Sequence, residues 1–156
     1  MVQVMTGAPL WVWPLLVVLV FVGVRARRER SVPAGMIYAL PLLGGMTLRT
    51  VLALPAGGWI WGIFALAYAA GAYGGYVLQR AWILGNDGGR VRLGGEALTL
   101  TAVMVIFWAS FAGGVLRAVA PGAYGSAVFM AVFAALLAAC GGSFAGRALR
   151  VWRARV

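Results

Sequence analysis

Residues 122–146, GAYGSAVFMAVFAALLAACGGSFAG, run for 25 positions without one charged side chain. A helix needs about 20 mostly apolar residues to cross roughly 30 Å of hydrocarbon, so this stretch can span a bilayer. Within it Ala127, Ala131, Ala135, Ala139 and Ser143 recur every four residues, and Ala134, Ala138, Gly142 and Gly146 form a neighbouring ridge. Residues four apart stack on one helix face. The segment therefore carries two adjacent stripes with almost no side chain. In lipid, where tails are as apolar as leucine, close backbone approach along such stripes holds helices together. The stretch reads as a spanning helix that brings its own packing surface.

Working outward, the same reading applies to residues 9–24, 33–54, 58–79 and 97–119. The third of the five spans repeats the small-residue spacing at Ala67, Gly71 and Gly75. The fourth pairs Ala109 with Gly113 and Ser110 with Gly114. Strict alternation over about ten residues, the mark of a membrane barrel strand, does not occur. Helices satisfy their backbone internally and are the form left to lipid. The expected fold is an all-α integral membrane bundle of five transmembrane helices, a single domain over 1–156. Its ridges are expected to pack within the bundle, with a homo-oligomer as the other use of the same surfaces. Pro14 and Pro41 should bend the first two spans.

Composition agrees. Of 156 residues 63% are hydrophobic and 10% charged, against roughly 45–50% and about 25% in soluble domains. A soluble globule and a disordered chain are both excluded. The thirteen basic residues are all arginine, the acids are Glu29, Asp87 and Glu96, and histidine is absent. Arg25, Arg27, Arg28 and Arg30 follow the first span, and Arg80, Arg90 and Arg92 lie between the third and fourth. Arg147, Arg150, Arg153 and Arg155 follow the fifth. A five-helix threading puts all of these on one side, which the positive-inside rule makes cytoplasmic. The N-terminus is then outside and the C-terminus cytoplasmic. Met1 to Gly7 carry no charged side chain and the basic cluster follows the first span, the reverse of a secretory signal, so that helix is expected to be retained. The net charge of +10 thus points to anionic headgroups on the cytoplasmic side rather than to nucleic acid.

Trp11, Trp13, Trp59, Trp61 and Tyr124 gather at the outer boundary, and Tyr76, Trp82 and Trp152 at the inner one. Amphipathic rings belt a membrane protein at this level. Residues 54–58 and 120–122 are tight outer turns, with proline and glycine stopping each helix. Residues 25–32 read as a basic hinge. Asn86-Asp87-Gly88-Gly89, between Ile83-Leu84 and the alternating Val91-Arg92-Leu93, signals a small hairpin on the membrane surface.

The side chains leave little room for chemistry. Haem, zinc and di-iron centres need histidine, cysteine or clustered carboxylates. Cys140 is the sole cysteine, a hydrolase triad lacks its histidine, and no lysine exists for a phosphate loop. No enzyme, cofactor or metal is expected. Arg49 and Arg117 break the charge pattern, each about one turn from the outer end of its helix. They snorkel to the outer headgroups or mark an outward-facing anion or lipid-headgroup contact. Thr47 and Thr50 stand ready to add hydrogen bonds. Arg147, Arg150 and Arg153, at i, i+3 and i+6, share a face that could hold lipid phosphates or serve topology alone. Glu96 reads as a helix-dipole cap, Asp87 as a turn residue and Glu29 as a solvated partner of its neighbouring arginines.

Ala-Pro-Leu-Trp-Val-Trp (8–13), Arg-Arg-Glu-Arg-Ser-Val-Pro (27–33), Gly-Arg-Val-Arg-Leu-Gly-Gly (89–95) and Gly-Arg-Ala-Leu-Arg-Val-Trp-Arg (146–153) carry a resemblance. Together they resemble a family of small multi-pass bacterial inner-membrane proteins classed as a domain of unknown function. A fainter similarity is to cytochrome c biogenesis membrane proteins of the CcdC type, whose thiol chemistry would need a cysteine pair that this chain lacks. The resemblance implies the bacterial inner membrane and supplies no catalytic residues. The expected role is a non-enzymatic accessory or scaffold, working as a homo-oligomer or within a larger membrane complex. The alternative is a transporter or channel for a small or anionic solute, using Arg49 and Arg117.

Overall fold

The computed structural model describes residues 12–26, 30–87, 90–94 and 97–153. The expectations for Trp11, Arg27, Arg28, Glu29, Gly88, Gly89, Glu96 and Arg155 lie outside the described residues. The element order is α1 (Val12–Ala26), β1 (Arg30–Pro33), α2 (Ala34–Leu52), α3 (Trp59–Trp82), β2 (Ile83–Asp87), β3 (Arg90–Leu93), α4 (Leu98–Val119), α5 (Pro121–Tyr124) and α6 (Ala127–Arg153). Trp59–Arg80, Leu98–Val119 and Ala127–Arg153 are long and apolar enough to cross a membrane. The outward surface suits lipid, since Leu42, Leu66 and Val128 are each 75% exposed.

Helix α6 is the axis of the bundle, with α2, α3 and α4 packed around it and α1 set against α4. Gly23 of α1 is buried on Leu100. An apolar core fills one end, built from Val51 and Leu54, Ile60, and Met130, Phe133, Ala134 and Leu137. Leu54 and Ile60 flank the α2–α3 turn, so burying them folds that turn inward. Leu54 N–H donates to Val51 O (3.1 Å) and Ile60 N–H to Gly57 O (3.2 Å), which satisfies the helix ends around Pro55. Trp13, Trp59, Trp61 and Trp152 are exposed, as interfacial anchors must be.

The other end carries a three-stranded antiparallel sheet of order β1-β3-β2. The expected hairpin is present, with Asp87 opposite Arg90 and Asn86 opposite Val91, and an irregularity between Ile83 and Gly85. The basic hinge at 25–32 is corrected in part, because Arg30–Pro33 is a strand with Val32 opposite Val91 and Pro33 opposite Arg90. Proline cannot donate to a ladder and is tolerated here because β1 is an edge strand. The sheet ties the α1–α2 and α3–α4 connections together at one end.

The fifth span shifts from 122–146 to Ala127–Arg153. Pro121, at the first helical position, opens a one-turn helix that Gly125 N–H closes onto Pro121 O at 2.9 Å. Ser126 then starts α6. Its Oγ accepts from Phe129 N–H at 3.3 Å and donates to Ala123 O at 2.8 Å. Ser126→Ala should cost about 1 kcal/mol, read as a lowered thermal midpoint in detergent, and Ser126→Asp should restore most of it. At its far end α6 runs past Gly146, so Arg147 lies inside a helix rather than after one.

Candidate functional site

The site grows out of the α3–α6 seam. Gly71 and Gly75 lie against the backbone carbonyls of Ala139 and Ser143, and Gly142 and Gly146 against those of Tyr68 and Ala72. A Cβ at any of the four would collide with backbone. The two helices run parallel in a fixed register. Gly71 meets Ala139, Gly75 meets Ser143 and Gln79 meets Arg147, each pair 68 residues apart. Tyr68 meets Gly142, Ala72 meets Gly146 and Tyr76 meets Arg150, each 74 apart. The 71–75 stripe of α3 and the 139–146 end of the α6 stripes are therefore occupied inside the bundle, while Ala127 at the start of α6 is exposed. On α4, Gly113 is likewise filled by the Phe133 ring, while nothing approaches Gly114. Helix α2 joins the axis where Gly44 faces Gly141 O at 3.0 Å from the place of its missing Cβ.

Each ladder ends in a polar pair at the sheet end. Arg147, 1% exposed, donates from Nε to Gln79 Oε1 at 2.8 Å and from Nη1 to Thr99 Oγ at 2.9 Å. Gln79 is fully buried and Thr99 is 6% exposed, so one side chain joins α3, α4 and α6. Gln79 Nε2 is buried with no hydrogen-bond partner. A buried guanidinium survives because such partners replace water.

On the second ladder Arg150 Nη1 donates to Tyr76 Oη at 3.0 Å. The Arg150 guanidinium carbon stands 4.9 Å from the centre of the Tyr76 ring, and that of Arg153 stands 5.7 Å away. Both are within the range of cation–π attraction. Arg150 Nε is buried without an acceptor.

The five arginines singled out from sequence thus divide. Arg147 is an internal tie, Arg150 is half-buried on Tyr76 and Arg153 is exposed beside it. Arg49 on α2 and Arg117 on α4 are exposed. Neither has a hydrogen-bond or ion-pair partner among the described residues. Thr47 and Thr50 do not serve Arg49. Their hydroxyls donate to their own helix, to Gly44 O (2.6 Å) and Met46 O (3.1 Å). Sequence reasoning passed over Gln79 and Thr99 and read Tyr76 only as an interfacial anchor. Extending the four-residue steps 71, 75 and 139, 143 by one more would have paired Gln79 with Arg147.

Among the described residues no group of three His, Cys, Asp or Glu side chains could hold a metal ion. Comparisons of the chain with protein-family models, with curated proteins and with solved structures find no match.

Proposed function

We propose that this chain is a five-span protein of the bacterial inner membrane, outside at its N-terminus and cytoplasmic at its C-terminus. In this reading it acts as a non-enzymatic accessory or scaffold, and it resembles the family of unknown function described above. The observation that carries the reading is the Arg147–Gln79–Thr99 tie. Among the described residues the most buried cation, Arg147, joins three helices. Its neighbours Gly75 and Ser143 are spent on close packing. A polar interior of this kind fixes a rigid body that presents outward surfaces.

The orientation is supported by the sheet. It gathers the backbone of Arg30, Arg90 and Arg92 at the end where α3 and α6 finish in Arg80, Arg150 and Arg153. A basic end of this sort belongs on the cytoplasmic side. Anionic lipid headgroups there are the expected small partners, and nucleic acid is not. The exposure of Arg49 and Arg117 supports outer-leaflet snorkelling over a solute pathway lined by both.

Crosslinking in native membranes tests the role, with capture of a membrane protein or a second copy expected. Recovery of lipid neighbours alone would overturn it. Orientation is read separately from Arg153→Cys in a Cys140→Ala background, which an impermeant thiol reagent should label only from the cytoplasmic side.

A further inference from the structure

We propose that Tyr76, Arg150 and Arg153 form a binding site for a phosphate group at the basic end of the α3–α6 seam. Two guanidinium groups sit on one phenol ring, 4.9 and 5.7 Å from its centre. Two cations held on one ring concentrate positive charge at this end of the seam. No carboxylate pairs with either of them among the described residues. An anion bound beside them offsets that charge.

The donor inventory points the same way. A guanidinium carries five N–H groups. Arg150 commits Nη1 to Tyr76 Oη, while its Nε is enclosed and has no acceptor. A small turn of the guanidinium would offer Nε and Nη2 side by side, the edge that grips two oxygens of one phosphate. Tyr76 holds the stem by ring contact and hydroxyl. Arg80, four residues after Tyr76 and exposed, adds positive charge on the same face of α3. Depth fits as well, because the neighbouring Trp152 lies in the last turn of α6, where a ring at headgroup level is expected. The same chemistry serves the phosphate of an anionic lipid or free phosphate. Only the leaflet in which the ligand is met rests on the proposed orientation.

The test is native mass spectrometry of the full chain released from micelles containing phosphatidylglycerol or phosphatidylcholine. A micelle has no sides, so an error in orientation leaves this result untouched. Wild type is expected to prefer phosphatidylglycerol at least tenfold, a difference of about 1.4 kcal/mol. Arg150→Gln with Arg153→Gln should bring the preference within twofold, while Arg49→Gln with Arg117→Gln keeps it. Arg150→Lys with Arg153→Lys should recover at most a third, because lysine lacks the planar fork. Inorganic phosphate, added at constant ionic strength, sorts the sources. Displacement of the lipid supports a free phosphate ligand, and failure to displace it supports a lipid. A preference that survives the paired glutamines, is lost equally in the Arg49 and Arg117 control, or returns in full with lysine overturns the site.

Discussion

Gly142→Ala, a change of one methyl group, is expected to lower the thermal midpoint of the bundle by roughly 6–12 °C. The added Cβ would run into the carbonyl of Tyr68, with the Tyr68 carbonyl carbon 2.9 Å and Ala72 N 3.0 Å away. These are backbone atoms, which cannot swing aside as a side chain would. Relief has to come from separating α3 from α6, and that loosens every rung of both ladders. Overpacking of this kind costs about 3 kcal/mol. A matched control lies on the same helix pair. Nothing stands within 4 Å of the corresponding position at Gly74, so Gly74→Ala should be neutral or gain up to about 1 kcal/mol from helix propensity. Of the two variants, only Gly142→Ala is predicted to lower the midpoint. Equal midpoints for both would mean that the seam is looser than described.

Arg147→Met carries the second large effect. Methionine keeps much of the volume but offers Gln79 Oε1 and Thr99 Oγ no donor in place of the two bonds at 2.8 and 2.9 Å. Leaving the buried Gln79 carboxamide oxygen unpaired costs about 3 kcal/mol, more than the pair contributes by being there. Adding Gln79→Leu should therefore recover a large share of the loss, a coupling that a double-mutant cycle measures directly. Arg150→Met, one turn further along and half-buried, should cost under about 1 kcal/mol. A single-variant loss at Arg147 no larger than at Arg150 would remove the tie from the account of stability.

The helices and their packing faces were legible because both signals are local. Hydrophobic length marks a helix, and a step of four residues marks a stripe. The hairpin was legible for the same reason, since its strands flank one turn signal. What escaped was set by partners distant in sequence. Arg30–Pro33 carries arginine, serine and proline and reads as a connector until Arg90–Leu93 is laid beside it. Arg147 ends an apolar run, where an arginine ordinarily faces water. Gln79 and Thr99 on two other helices help to hold it buried. Ser126 had the right residue type for an N-cap, but Gly122 already satisfied the apolar pattern and drew the boundary too early.

The parallel register of α3 and α6 also dictates an order of events during synthesis. Gln79 precedes Arg147 by 68 residues, so at about 5–20 residues per second it waits roughly 3–14 s for its counterpart. Throughout that interval a carboxamide and two bare glycine notches face lipid or translocon rather than α6. Helices α1 to α4 are thus an unfinished assembly held open for a late arrival. A ribosome stalled before α6 would expose a polar, glycine-notched α3, the kind of surface by which membrane quality control tells an incomplete bundle from a finished one.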